Sequence, residues 1–180
     1  MNNRFDQFVN QQVELAQLSG GKFEPEREIA MWVGKLEELY ALVQRSLAPY
    51  LADGRIGLAF NTIQLTEDWL GTYEVRQMSL TIGRQIVRLE PRGTVLIGAR
   101  GRVAVDGPRG TARLTLVPAD ATAPQVRVSL CGPGEPGRGL DELPSPESWV
   151  WKIAIHTRRV AYIDLVEENF LECLMGVVNG

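Results

Sequence analysis

From Tyr73 to Leu130 the chain runs in short alternating apolar and polar segments, each closed by a glycine or proline turn. This pattern leaves little choice of fold. Strand side chains alternate between faces with period two. Val87, Leu89, Val103, Val105, Ala112, Leu114, Leu116, Val126 and Val128 therefore share one face. Arg88, Arg102, Arg113 and Arg127 share the other. Strands are expected over 73–82, 85–90, 94–98, 102–106, 111–117 and 125–131. Gly83-Arg84 has glycine first, as a type II′ hairpin turn requires. Pro91-Arg92-Gly93 and Asp106-Gly107-Pro108 read as further turns. Connections this short join antiparallel neighbours.

The alternation extends to both sides of that stretch. Ile56, Leu58 and Phe60 share a face, and the apolar phase then switches to Ile63 and Leu65, which predicts a bulge near Asn61-Thr62. Thr66-Glu67-Asp68-Trp69 reads as a helical turn or loop. Beyond the loop at 132–147, Trp149, Trp151, Ile153 and Ile155 alternate with Lys152 and His156. Thr157-Arg158-Arg159 then turns into a strand over Val160–Ile163.

Helical spacing frames the strands. Phe5, Phe8, Val9, Val13 and Ala16 predict a first helix, stopped by Gly20-Gly21. A second opens at Pro25, with Glu24, Glu26 and Glu28 complementing its dipole. Its stripe of Ile29, Trp32, Val33, Leu36, Leu39, Tyr40, Val43 and Leu47 suits core packing, although 29, 36, 43 and 50 also keep a heptad spacing. Helix 25–48 is thus a homodimer candidate too. A last helix is expected from Asp164, with Glu167 as capping-box partner. Its stripe of Ile163, Val166, Phe170, Leu174 and Val177 is widened by Leu165, Leu171, Met175 and Val178.

The expected fold is α+β: two N-terminal helices, a curved antiparallel meander of about seven or eight strands, and a C-terminal helix packed on the sheet. One domain over 1–180 is expected, with a helical segment at 1–53, the sheet at 54–162 and the last helix at 163–180.

Charge is segregated along the chain. Residues 73–127 carry a net +5, whereas 1–72 and 128–180 carry −4 each, within a total of −3. The sheet is basic and its flanks are acidic. Cys131 and Cys173 form no disulfide framework and no CxxC pair. No apolar run approaches the roughly 18 residues of a membrane span, and the N-terminus lacks a signal-peptide core. A cytoplasmic location without membrane contact is the expectation.

Recognisable catalytic motifs are missing. Gly132-Pro133-Gly134-Glu135-Pro136-Gly137 matches GxGxxG formally, but prolines interrupt it and no helix follows, so it lacks the setting for a pyrophosphate. His156, the one histidine, stands beside Arg158 and Arg159, which suits anion contact better than metal. Glu67-Asp68, Asp141-Glu142 and Glu167-Glu168 are adjacent pairs whose side chains diverge. No cofactor and no metal are expected, and no enzyme activity.

Three binding surfaces stand out. A ladder of Arg88, Arg102, Arg113, Arg127, Lys152 and His156, with Thr111, Thr115, Gln125 and Ser129 between, suits an acidic protein surface or an anion. Nucleic-acid backbone is a less favoured ligand, because the face lacks aromatics for base stacking. The 132–147 loop offers Leu140, Asp141, Glu142 and Leu143 to a partner. Trp149 and Trp151 are core residues, or line an apolar cavity against the last helix. The function expected is that of a non-catalytic adaptor, inhibitor or immunity-type partner of another protein. The alternatives are a small apolar ligand carrier and an anion or nucleic-acid backbone binder.

Overall fold

A computed structural model describes residues 24–94, 101–124, 148–156 and 158–180. Helix α1 (Pro25–Ser46) passes through Leu47 into the short α2 (Ala48–Ala52). Seven strands follow: β1 (Ile56–Glu67), β2 (Gly71–Ile82), β3 (Gln85–Gly93), β4 (Gly101–Asp106), β5 (Thr111–Pro118), β6 (Trp149–His156) and β7 (Val160–Asp164). Helix α3 (Glu167–Asn179) comes last. The strands lie in chain order, each antiparallel to the next, in one open sheet. This is the expected α+β arrangement of an antiparallel meander with an N-terminal helix and a C-terminal helix packed on the sheet. The expected helix around Phe5–Ala16 and the expected strand 125–131 lie outside the described residues, as does all of 94–98 except Thr94.

One apolar cluster joins the sheet to both long helices. Trp32, Leu36, Leu39, Tyr40 and Val43 of α1 and Phe170, Leu174 and Val177 of α3 are buried against it. The sheet contributes Met78, Leu80, Val87, Leu89, Val103, Val105, Leu114, Leu116, Trp151 and Ile153. Burial of each such side chain contributes about 1.5–3 kcal/mol before entropy is counted. The α1 stripe is thereby consumed within its own chain, leaving only Tyr50 exposed at the end of the heptad series. At Gly101 a Cβ would collide with the Trp32 ring, so this strand residue must be glycine for α1 to lie so close.

Four local expectations are corrected. Pro91-Arg92-Gly93 is not a turn: β3 runs through it, with a register shift between Pro91 and Gly93. Asn61-Thr62 is not a bulge, because β1 pairs with β2 without interruption from Ile56↔Ile82 to Glu67↔Gly71. Thr66 and Glu67 belong to β1, and the turn occupies Asp68 to Leu70. Asp164 ends β7 and does not cap α3, whose N-cap is Val166 without a side-chain bond. Val166 at the N-cap and Met175 within α3 are exposed, so the widened stripe is open along one side.

The phase switch in β1 has a different cause. β2 switches at the same level, from buried Tyr73 and Val75 to buried Met78 and Leu80. β2 leaves β3 at Met78↔Leu89, so the rest of the β1–β2 hairpin is a two-stranded ribbon, the arrangement in which twist is largest. Twisting turns the opposite face of both strands inward together. Where β3 no longer runs beside β2, the Tyr40 hydroxyl of α1 donates a hydrogen bond to the Arg76 carbonyl. Arg76 also pairs with Glu37 and stands 4.3 Å over the Phe60 ring. The ribbon is thus clamped to α1 at the switch.

Candidate interaction surface

The outer face of the sheet is built from residues in register. Arg88 pairs across with Asp106, Ala104 with Arg113, Arg102 with Thr115, and Thr115 with Lys152. The expected continuous ladder of exposed cations divides into two zones. In the first, on β3, β4 and the start of β5, Arg88 and Arg113 are exposed and Arg102 is half-buried. In the second, on β5 to β7, Thr115, Val117, Lys152 and Ala154 are buried. Ala121 and Tyr162 pack on Val117 there.

Lys152 therefore departs from the expected binding face. Its side chain is 7% exposed and its Nζ lies 3.0 Å from Asp164 Oδ1. Arg92, the residue at the β3 shift, is aimed along the face and bridges Glu90 at 3.2 Å and Asp106 at 3.3 Å. Bulges commonly re-aim a side chain in this way. Asp106 also accepts from the Thr111 hydroxyl at 2.8 Å. Arg88, Arg102 and Arg113 have no carboxylate within ion-pair distance among the described residues. His156 is exposed, and its Nε2 lies 3.4 Å from Arg113 Nη1, where it can accept that guanidinium's hydrogen bond. From strand spacing and rise, Arg88, Arg102 and Arg113 lie roughly 8–14 Å apart at Cα.

Arg127, the 132–147 loop and its Leu140-Asp141-Glu142-Leu143 segment lie outside the described residues, as do Gln125, Ser129 and Cys131. Trp149 and Trp151 are buried. The Trp151 indole N–H donates to the Lys35 carbonyl at 2.8 Å, and its ring lies 5.8 Å from that of Trp32. Both tryptophans are core residues, and Trp151 anchors α1. The cleft they border, about 650 Å³, is open and lies beside α1, lined by Lys35, Glu38, Arg45, Val150 and Leu165 among others. Between α3 and the sheet, where the alternative reading placed a ligand cavity, Phe170, Leu174 and Val177 share one packed cluster with Leu89, Val105 and Leu114.

Nothing in the described residues assembles three or more His, Cys, Asp or Glu side chains for a metal. Cys173 is a half-buried free thiol whose pKa burial pushes up to about 11, which makes it a poor nucleophile at neutral pH. No helix among the described residues is long and apolar enough to cross a membrane.

Two surface features escape an alternation reading. Trp69 is 70% exposed at the tip of the β1–β2 ribbon. The whole of β1 is a sheet edge. Edge position depends on strand order, which alternation does not encode; the run of uncharged residues from Ile56 to Thr66 was the available signal. No protein-family model, no curated protein and no solved structure matches the chain.

Proposed function

We propose that this protein is a cytoplasmic, non-catalytic binding partner that receives an acidic protein surface on the outer face of its sheet. One observation carries the reading: among the described residues Arg88, Arg102 and Arg113 stand without carboxylate partners, while Arg92 and Lys152 on the same face are neutralised within the chain. Guanidinium groups hold carboxylates in bidentate pairs, and a rigid sheet fixes their spacing. The described part of this face offers no exposed aromatic for base stacking, so a protein carboxylate array fits better than a nucleic acid.

The experiment is chemical cross-linking in native lysate with the wild-type chain and the triple variant Arg88→Glu, Arg102→Glu, Arg113→Glu. Proteins captured by the wild type are lost by the variant, and their capture weakens as salt rises. Capture of the same proteins by both chains overturns the reading. Retention of single-stranded DNA by the wild type alone transfers the face to nucleic acid.

A further inference from the structure

Each sheet edge leaves a row of unpaired N–H and C=O groups, and natural sheets blunt such edges. The two edges here are treated oppositely. β7 has five residues, follows Arg158-Arg159 and ends in Asp164, and its Tyr162 N–H donates to the Thr122 carbonyl at 2.8 Å. β1 has twelve residues, and from Ile56 to Thr66 it contains no charge and no proline. It has no bulge against β2, and none of its outer backbone groups is hydrogen-bonded among the described residues.

Register identifies the open groups. Gly83-Arg84 is a two-residue turn closed by the pair Ile82↔Gln85, with φ +59° at Gly83. In such a turn Ile82 directs its carbonyl at Gln85, so even-numbered residues of β2 face β3 and odd-numbered ones face β1. The Tyr40 bond to the Arg76 carbonyl, on the β3 side, agrees with this. Unbroken pairing then bonds Gly57, Ala59, Asn61, Ile63 and Leu65 to β2. Ile56, Leu58, Phe60, Thr62, Gln64 and Thr66 present their N–H and C=O groups outward.

We propose that β1 pairs with β1 of a second copy of this chain, antiparallel about a two-fold axis at Asn61. Only that two-fold register matches all six outward residues with outward residues: Ile56 with Thr66, Leu58 with Gln64, and Phe60 with Thr62. It also sets exposed Gly57 and Ala59 against Leu65 and Ile63 of the second copy, small against large. No like charges oppose one another, because the run has none. A two-fold partner is self-complementary by construction, so the strand needs no other sequence to complete it.

Sedimentation of the purified chain over a concentration series tests this. The wild type shifts towards twice the 20.0 kDa of one chain as concentration rises. Asn61→Lys, which opposes two ammonium groups at the axis, stays at one-chain mass with an unchanged circular dichroism spectrum. Under oxidation Asn61→Cys gives a covalent dimer, because the axial pair brings its Cβ atoms within about 5.5 Å. A cysteine in place of Thr81, exposed on β2, gives none beyond wild type. A wild type that remains monomeric at its highest soluble concentration overturns the proposal. So does an Asn61→Lys chain that dimerises as before. Should Asn61→Lys fail to fold, the cysteine pair decides alone: no preference for position 61 over 81 rejects the pairing.

Discussion

The carboxylate of Glu67 accepts two hydrogen bonds from Thr94, one from its backbone N–H at 3.0 Å and one from its hydroxyl at 2.9 Å. The Tyr73 hydroxyl donates to the same carboxylate. The ribbon leaves β3 at Met78↔Leu89 and returns to its far end here. Glu67 therefore closes a gap in the sheet that no backbone ladder spans. Thr94→Val removes one donor and costs about 1 kcal/mol, and Glu67→Ala removes the shared acceptor and costs about 2 kcal/mol. Measured by urea unfolding, the double variant costs less than the sum of the two; strict additivity would show that the pair does not act together.

The two buried indoles differ in one respect that mutation can read. The Trp151 N–H has the Lys35 carbonyl, whereas the buried Trp32 Nε1 has no acceptor at good hydrogen-bond geometry among the described residues. An unsatisfied buried donor is already a cost. Trp151→Phe should lower the melting temperature more than Trp32→Phe, by the equivalent of about 1 kcal/mol. Equal losses would mean that the Lys35 bond contributes nothing.

Alkaline pH should weaken the fold through Tyr40 and Tyr73. Burial raises both pKa values; nearby Glu37 adds to the shift for Tyr40, and the Glu67 hydrogen bond adds to it for Tyr73. Below the ordinary tyrosine pKa of 10.0 their contribution is complete. As pH rises past it, the unfolded chain loses protons that the folded chain retains, so stability falls with pH. Thermal melts between pH 8 and about 11 should decline above 10 for the wild type. They should decline less for Tyr73→Phe, which is also less stable at neutral pH.

Charge on the outer face separates binding from stability. Exposed Arg88 and Arg113 have no carboxylate partner among the described residues, so their reversal to Glu should change unfolding free energy by no more than about 0.5 kcal/mol. Asp164→Ala leaves the ammonium of Lys152, 7% exposed, without its counter-ion and should cost about 1 kcal/mol, moderated because Asp164 is itself 73% exposed. Lys152→Met should be neutral or mildly stabilising. A large loss in the Met variant would show that the buried pair holds the β6–β7 hairpin.

The legible part of this fold was whatever repeats with period two or 3.6. Val87 to Leu116 take the faces that alternation assigns, and α1 buries Trp32, Leu36, Leu39 and Val43 as its stripe predicts. Turn chemistry was less reliable. Pro91 and Gly93 read as a turn because proline and glycine end most strands, yet proline is tolerated where a ladder is already shifted. Ribbon twist changed the face of β1 without an inserted residue; the matching switch from Val75 to Met78 was the unread clue. In the candidate site, the parity of Arg88, Arg102 and Arg113 was visible. The burial of Lys152 was not, because it depends on Asp164 and on packing across β5 to β7.

Strand order that follows chain order has a kinetic meaning. The hairpins β1–β2, β2–β3, β4–β5 and β6–β7 each close through a short turn, so they can form independently and early. β3 meets β4 across residues 94–100, and β5 must find β6 across residues 119–148, the closure with the largest chain-entropy cost in the sheet. The molecule should therefore assemble as two blocks, β1–β5 and β6–β7, whose joining commits the chain to its native state. Substitutions at the Leu116–Trp151 seam should retard folding, while those confined to the ribbon tip should chiefly hasten unfolding.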